Sequence, residues 1–106
     1  MAEHVVVLVT VEKQEDGERI AENLVAEKLA ACVNIVPGLT SVYSWQGAVE
    51  KAKELLLVMK TRASLFGRLR ARVVELHPYD VPEVLALQVE AGHAPYLAWI
   101  DESTAS

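Results

Sequence analysis

Cysteine occurs once in the 106 residues, at Cys32, so no disulfide can form within the chain and a reducing, cytoplasmic compartment is expected. Long apolar runs are missing too. Stretches such as Val5 to Val9 and Leu55 to Met59 fall far short of the roughly 20 residues a membrane-spanning helix needs. Basic residues are in the minority, 10 Lys and Arg against 15 Asp and Glu, which leaves a net charge of −5. Nucleic acid and anionic membrane surfaces both call for a basic footprint, so neither is expected as a partner. Gly17, Gly38, Gly47, Gly67 and Gly92 stand singly, which excludes a glycine-rich nucleotide loop. There is no C-x-x-C, H-x-H or H-E-x-x-H, and with them goes any strong metal signature. The opening Met-Ala-Glu-His runs directly into an apolar segment, without the basic region and cleavage site of a signal peptide.

What is present suits one folded unit. The length fits a single domain over residues 1–106, and 52% hydrophobic residues can build its core. His4 to Val11 is almost continuously apolar and β-branched, the pattern of a strand buried on both faces. From Glu15 the period becomes helical, with Ile20, Leu24 and the Val25/Leu29 pair inward, and Glu15 or Asp16 placed to cap the start. Cys32 to Val36 reads as a second strand, broken by a bulge or kink at Pro37-Gly38 and resuming from Leu39 to Trp45. Gln46-Gly47 is a turn and Val49 to Thr61 the returning strand. Ser64 is placed to cap a second helix carrying Leu65, Leu69, Val73 and Leu76, which Pro78 stops. Val84 to Val89 is a fourth strand, Pro95 to Ile100 a short terminal helix, and Asp101 to Ser106 should fray.

The order predicts an α+β fold of the ferredoxin-like β-α-β-β-α-β kind, with an extra C-terminal helix. Its central hairpin is too long for it. Cys32 to Gln46 would extend roughly 50 Å at about 3.3 Å per residue, against a diameter of roughly 35 Å for a globule of this size. Its overhang carries Val42, Tyr43, Trp45 and Val49, so self-association is expected; the bland alternative is a merely exposed hairpin.

Functional side chains are densest in His77-Pro78-Tyr79-Asp80-Val81-Pro82-Glu83, where two prolines stiffen the loop. His77 has the chemistry of a metal ligand or a general acid/base, with Asp80 or Glu83 to orient it; the bland reading seats it at a helix C-terminus. Lys60 ends an apolar strand, either receiving an anion, pairing with Glu54 or Glu83, or simply snorkelling. Tyr43 and Trp45 share one hairpin face and serve a pocket or, more plainly, an interface. Cys32 reads as a small buried hydrophobe. The segment Glu-Leu-Leu-Leu-Val-Met-Lys-Thr at Glu54 to Thr61 lacks stacking aromatics, which rejects an RNA-recognition motif of the same strand order. No cofactor motif or paired nucleophile accompanies His77, Tyr79 and Glu83, so no enzymatic activity is expected.

Taken in order, Leu24, Leu29-Ala30-Ala31-Cys32-Val33-Asn34, Pro37-Gly38, Ser41-x-Tyr43-x-Trp45-x-Gly47, Glu54 through Lys60-Thr61, the His77–Glu83 loop and Tyr96-Leu97-x-Trp99 resemble the CutA family of divalent-cation tolerance proteins. The resemblance runs from Val5 to Ile100. It implies a cytoplasmic homotrimer similar in architecture to PII signalling proteins, involved in tolerance to copper and other divalent metals, with no established reaction. It also implies clefts between subunits lined by Tyr43, Trp45, Lys60, His77, Tyr79 and Glu83. Some members carry a first-strand cysteine and a histidine pair as proposed copper ligands; Val9 and Leu76 stand at two of those positions here. A weak Cu or Zn site on His77, Glu83 and Asp80 is therefore one expectation, with no cofactor required. A PII-like sensor holding a small molecule or anion between Lys60 and the His77 loop is the alternative.

Overall fold

Alternation of period two organises the sheet, as seen in a computed structural model that describes residues 3–105. Strands β1 (His4–Val11), β2 (Cys32–Trp45), β3 (Ala48–Arg62) and β4 (Leu85–Gln88) form one antiparallel sheet in the order β2-β3-β1-β4. Helices α1 (Gln14–Ala26) and α2 (Phe66–Leu76) cross one face, and α3 (Ala94–Ser103) follows β4. Val5, Val7, Val9 and Val11 of β1 and Leu55, Leu57 and Met59 of β3 point to the helices and meet Ile20 and Leu24 of α1 and Leu69 and Val73 of α2 in one buried cluster. Each such side chain contributes about 1.5–3 kcal/mol on full burial. Thr61, fully buried in the same row, donates its hydroxyl to the Leu29 carbonyl at 2.7 Å, so its polarity is satisfied.

Only that face of β1 is closed. Val6, Leu8 and Thr10 on the other face are half-buried, contrary to the expectation of a strand covered on both sides. Part of this second face is taken by α3. Its Asp101 meets His4 Nε2 at 2.8 Å, and Arg62 reaches Thr104 Oγ1 and the Thr104 carbonyl oxygen at 2.9 Å each. Ile100 and Thr104 are buried there, so the segment after Asp101 is held rather than frayed as far as Ala105. Ser106, Met1 and Ala2, with the readings that fell on them, lie outside the described residues.

The hairpin is built as the residues suggested. Gln46 and Gly47 have φ of 50° and 82°, the two left-handed residues of a type I′ turn that matches strand twist. At Pro37-Gly38 the register slips: Val36 faces Leu56, but Leu39 faces Glu54. The extra residue is a β-bulge, with Gly38 at φ 86°. It inverts the alternation, so Leu39, Ser41, Tyr43 and Trp45 share the open face with Cys32, Asn34 and Val36. The long axis of the fold, 44 Å against 26 and 23 Å, is consistent with the overhang.

The helix ends differ from expectation. Helix α1 starts at Gln14 with Lys13 at the cap position and no side-chain cap bond; Glu15 and Asp16 sit inside the first turn, where they favour the dipole. Its C-terminus closes with Leu29 N–H on the Leu24 carbonyl and Lys28 N–H on that of Val25, a Schellman motif with Lys28 at φ 61°. Leu29 therefore packs beyond the helix end, and Val25 is exposed. Ser64 does not cap α2, because it lies within a single 3-10 turn, Ala63–Leu65, that leads into the helix. The fourth strand is shorter than read, ending at Gln88.

Gly17 lets α1 lie close on the sheet: a Cβ there would stand 3.3 Å from Val11 Cγ1 and 3.4 Å from Leu57 Cδ2. Gly17→Val should therefore overpack this contact and destabilise the fold by about 1–3 kcal/mol, measured by urea unfolding. A variant as stable as the wild type would show that α1 can lift without cost.

Candidate functional site

The loop after α2 is fastened to the sheet by an unbroken set of bonds. His77 caps the helix in extended geometry, φ −80° and ψ 137°, and its N–H still closes on the Val73 carbonyl. Its ring is buried, with Nε2 2.7 Å from the Thr10 carbonyl oxygen and Nδ1 3.1 Å from the Tyr79 N–H. A carbonyl can only accept and an amide N–H only donates. The ring is therefore the Nε2–H tautomer, with Nδ1 as acceptor. Tyr79 packs on it at a centroid distance of 4.5 Å, and its hydroxyl donates to Glu54 Oε2 at 2.6 Å. Three elements are thus tied together: β1 through Thr10, the loop through His77 and Tyr79, and β3 through Glu54.

Between this loop and the overhanging hairpin lies a cleft of about 620 Å³. Tyr43, Trp45, Ser41 and Val42 line it from β2, Ala52 and Glu54 from β3, Thr10 and Glu12 from the end of β1, and Tyr79, Asp80, Val81 and Glu83 from the loop. Its walls are aromatic and acidic. Glu12, Glu54, Asp80 and Glu83 contribute carboxylates, and the lining includes no Lys or Arg. None of the four joins a salt bridge among the described residues. Glu54 is the buried one, 9% exposed. Burial first, then the hydrogen bond to Glu54 and the nearby negative charges, push the Tyr79 phenol well above its ordinary range.

Tyr43, Trp45, Tyr79, Asp80 and Glu83 thus come together within one chain, whereas His77 and Lys60 do not join them. His77 lies behind the wall with both nitrogens engaged, and neither Asp80 nor Glu83 orients it. Among the described residues no group of three or more His, Cys, Asp and Glu side chains is arranged to hold a metal ion. The expected ligand set of His77, Glu83 and Asp80 is therefore not assembled within the chain. Lys60 sits about 20 Å further along β3, at about 3.3 Å per residue. There Lys60 Nζ contacts Asn34 Oδ1 and lies 3.9 Å from Cys32 Sγ, and it pairs with neither Glu54 nor Glu83. Cys32 is half-buried, not fully enclosed. Sequence reasoning passed over Glu12 and named Glu54 as a partner for Lys60 and within the family match, but neither as a lining residue. The signal was there in Glu54, a lone carboxylate beside an apolar strand run.

Comparison with known proteins points one way. A family model described as CutA1 divalent ion tolerance protein matches residues 5–103. A Divalent-cation tolerance protein CutA of Thermus thermophilus is 54% identical over 99 residues, covering 93% of this chain and 96% of that one. A chloroplastic Protein CutA 1 of Oryza sativa is 52% identical over 100 residues, but the chain spans only 56% of its length. Among solved structures, a divalent cation tolerance protein from Thermus thermophilus has a TM-score of 0.94 at 53% identity, covering 96% of this chain and 99% of that one. One from Archaeoglobus fulgidus, described as periplasmic, has a TM-score of 0.94 at 39% identity, with 96% and 99% covered.

Because the folded state keeps the Tyr79 phenol protonated above the ordinary value of 10.0, its contribution to stability is complete below pH 10.0 and falls as the pH rises beyond it. Phenolate absorbance followed through an alkaline titration should show a late-ionising tyrosine that disappears in Tyr79→Phe. The same variant strips Glu54 of its donor and should lower stability by about 1–3 kcal/mol. Loss of a tyrosine ionising in the ordinary range in Tyr79→Phe, instead of a late one, would mean that the Tyr79–Glu54 bond does not hold in solution.

Proposed function

The chain belongs to the CutA1 family of divalent ion tolerance proteins, and from that membership we propose that it acts as a homotrimer in the response to divalent metal ions, without catalysing a reaction. The observation that carries the assembly is the open sheet face. Val36, Leu85 and Leu87 are exposed there beside the half-buried Val6, Leu8, Leu56 and Val58, while the hairpin exposes Val49 on its other face. A contiguous apolar band of this kind is costly in water and marks a contact surface. Copies of the chain, each laying its hairpin against the next, cover it in a closed ring. The strand order β2-β3-β1-β4 with helices on one face supports the ferredoxin-like reading and its likeness to PII-type trimers.

For the metal we propose weak binding by carboxylate oxygens at the cleft mouth, Asp80 and Glu83 in particular, without His77. Oxygen-only donors suit Zn(II) or Cu(II) poorly compared with imidazole or thiolate, which supports low affinity and little preference for copper. The second reading, a PII-like sensor, is favoured by the cleft itself. Its volume of about 620 Å³ falls within the range of roughly 300–1,000 Å³ typical of small-molecule sites. We place the protein in the cytoplasm on the strength of its free thiol at Cys32. No helix of the described residues is long and apolar enough to cross a membrane.

Two measurements test this reading. Leu87→Glu puts a charge into the apolar band, so light scattering should report a species smaller than the trimer; an intact trimer would remove β4 from the interface. Titration calorimetry with Zn(II) and Cu(II) should give weak binding that is equal in wild type and His77→Ala and reduced in Asp80→Asn/Glu83→Gln. Loss of binding in His77→Ala, with the fold verified by circular dichroism, would restore His77 as a ligand.

A further inference from the structure

We propose that His77 is an acid-sensitive latch: its neutral ring fastens the loop from Pro78 to Glu83 to the sheet, and protonation of that ring releases it. The inference stands apart from any metal or ligand in the cleft.

The polar hold on the loop is narrow. Among the described residues, Pro78 to Glu83 make no backbone–backbone hydrogen bond and no salt bridge. The bonds that reach the segment are both on Tyr79, its N–H to His77 Nδ1 at 3.1 Å and its hydroxyl to Glu54 Oε2 at 2.6 Å. His77 is itself fixed from the other side by the Thr10 carbonyl, 2.7 Å from Nε2. Val84 packs against the core and marks the far end of the loop. Pro78 and Pro82 stiffen the stretch between, so its movement is set at its two ends. Each of these bonds lies within one chain, so the latch does not depend on what covers the open sheet face.

The closed loop admits one protonation state. Nε2 faces an acceptor and Nδ1 faces a donor, which fits a neutral imidazole with its proton on Nε2. A second proton would go to Nδ1 and set two N–H groups against each other, the ring's and the Tyr79 amide. The bond between them is then lost, and a ring only 7% exposed cannot turn its new N–H to bulk water without leaving its seat.

The surroundings ask for the opposite. The ring stands at the C-terminus of α2, where the helix dipole favours a cation. Glu12 follows the end of β1, Glu54 reaches in from β3 through Tyr79, and Asp80 and Glu83 stand in the loop itself. On α2, Arg72 is paired with Glu27 and lies near Glu75. Acidic groups thus favour a charged ring that the closed loop refuses, and a proton switch is built from two such demands. The loop is held while the ring is neutral and let go as the pH falls through the imidazole range.

The full chain in its native assembly, isotope-labelled and kept in EDTA, is followed by NMR from about pH 8 to about pH 5, the span across which an imidazole changes charge. At the alkaline end the His77 ring should carry its proton on Nε2 alone. On acidification it should gain a second, and the Tyr79 amide and ring signals should shift with the same midpoint. His4 and His93 titrate in the same spectra, and Tyr79 should follow His77 rather than either of them. In His77→Gln, whose amide stays uncharged, the Tyr79 shift should disappear. A doubly protonated ring at the alkaline end, a ring still neutral at the acid end, protonation that leaves Tyr79 unmoved, or a Tyr79 shift that survives in His77→Gln would each overturn the proposal. If His77→Gln does not fold, the wild-type titration decides alone, because ring and amide are read in one sample.

Discussion

The one-residue slip at Pro37-Gly38 decides which way half of the hairpin looks. Along any strand, side chains alternate between faces, so one inserted residue exchanges them from that point on. Up to Val36 the even positions of β2 face away from the helices; from Leu39 the odd ones do. Tyr43 and Trp45 therefore stand on the same side as Glu54 and the His77 loop. Without the bulge the hairpin would be as long, but the aromatics would sit on its opposite side. The cleft exists because a proline and a left-handed glycine occur together at this point.

Opposite the hairpin, rigidity comes from satisfied polar groups. The buried imidazole of His77 joins a carbonyl of β1 to an amide of its own loop, and Tyr79 carries the connection on to Glu54. Every member is hydrogen-bonded, and no buried side-chain nitrogen or oxygen among the described residues lacks a partner. A fully satisfied network in a low-dielectric setting is stiff. What it does not supply is neutrality. Of the acidic wall it holds Glu54, through a neutral phenol rather than a cation.

Much of this was legible in the sequence. The hairpin, its turn and its kink were marked by Pro37-Gly38 and Gln46-Gly47, whose backbone preferences are local. The inward rows of α1 and α2 followed from their period. What could not be read was the distant backbone. His77 looked like a ligand because its residue type and loop suggested one, yet its partner is a carbonyl 67 positions earlier, which any residue could have provided. Ser64 looked like a cap because caps are local signals, but the chain enters α2 through a 3-10 turn that leaves the hydroxyl within it. Lys60 and the loop were grouped by chemical type and by family resemblance as lining clefts between subunits; within one chain, strand length separates them.

Helix α3 has a consequence for the order of events as the chain folds. Its anchors, His4 to Asp101 and Arg62 to Thr104, join residues 97 and 42 positions apart. The surface on which both anchors dock exists only once β1 and β3 are paired, and a contact of such long range returns nothing until the closure entropy has been met. The last helix is therefore the last to arrive, and by the same logic the first to leave. It would breathe open while the sheet beneath it stays closed.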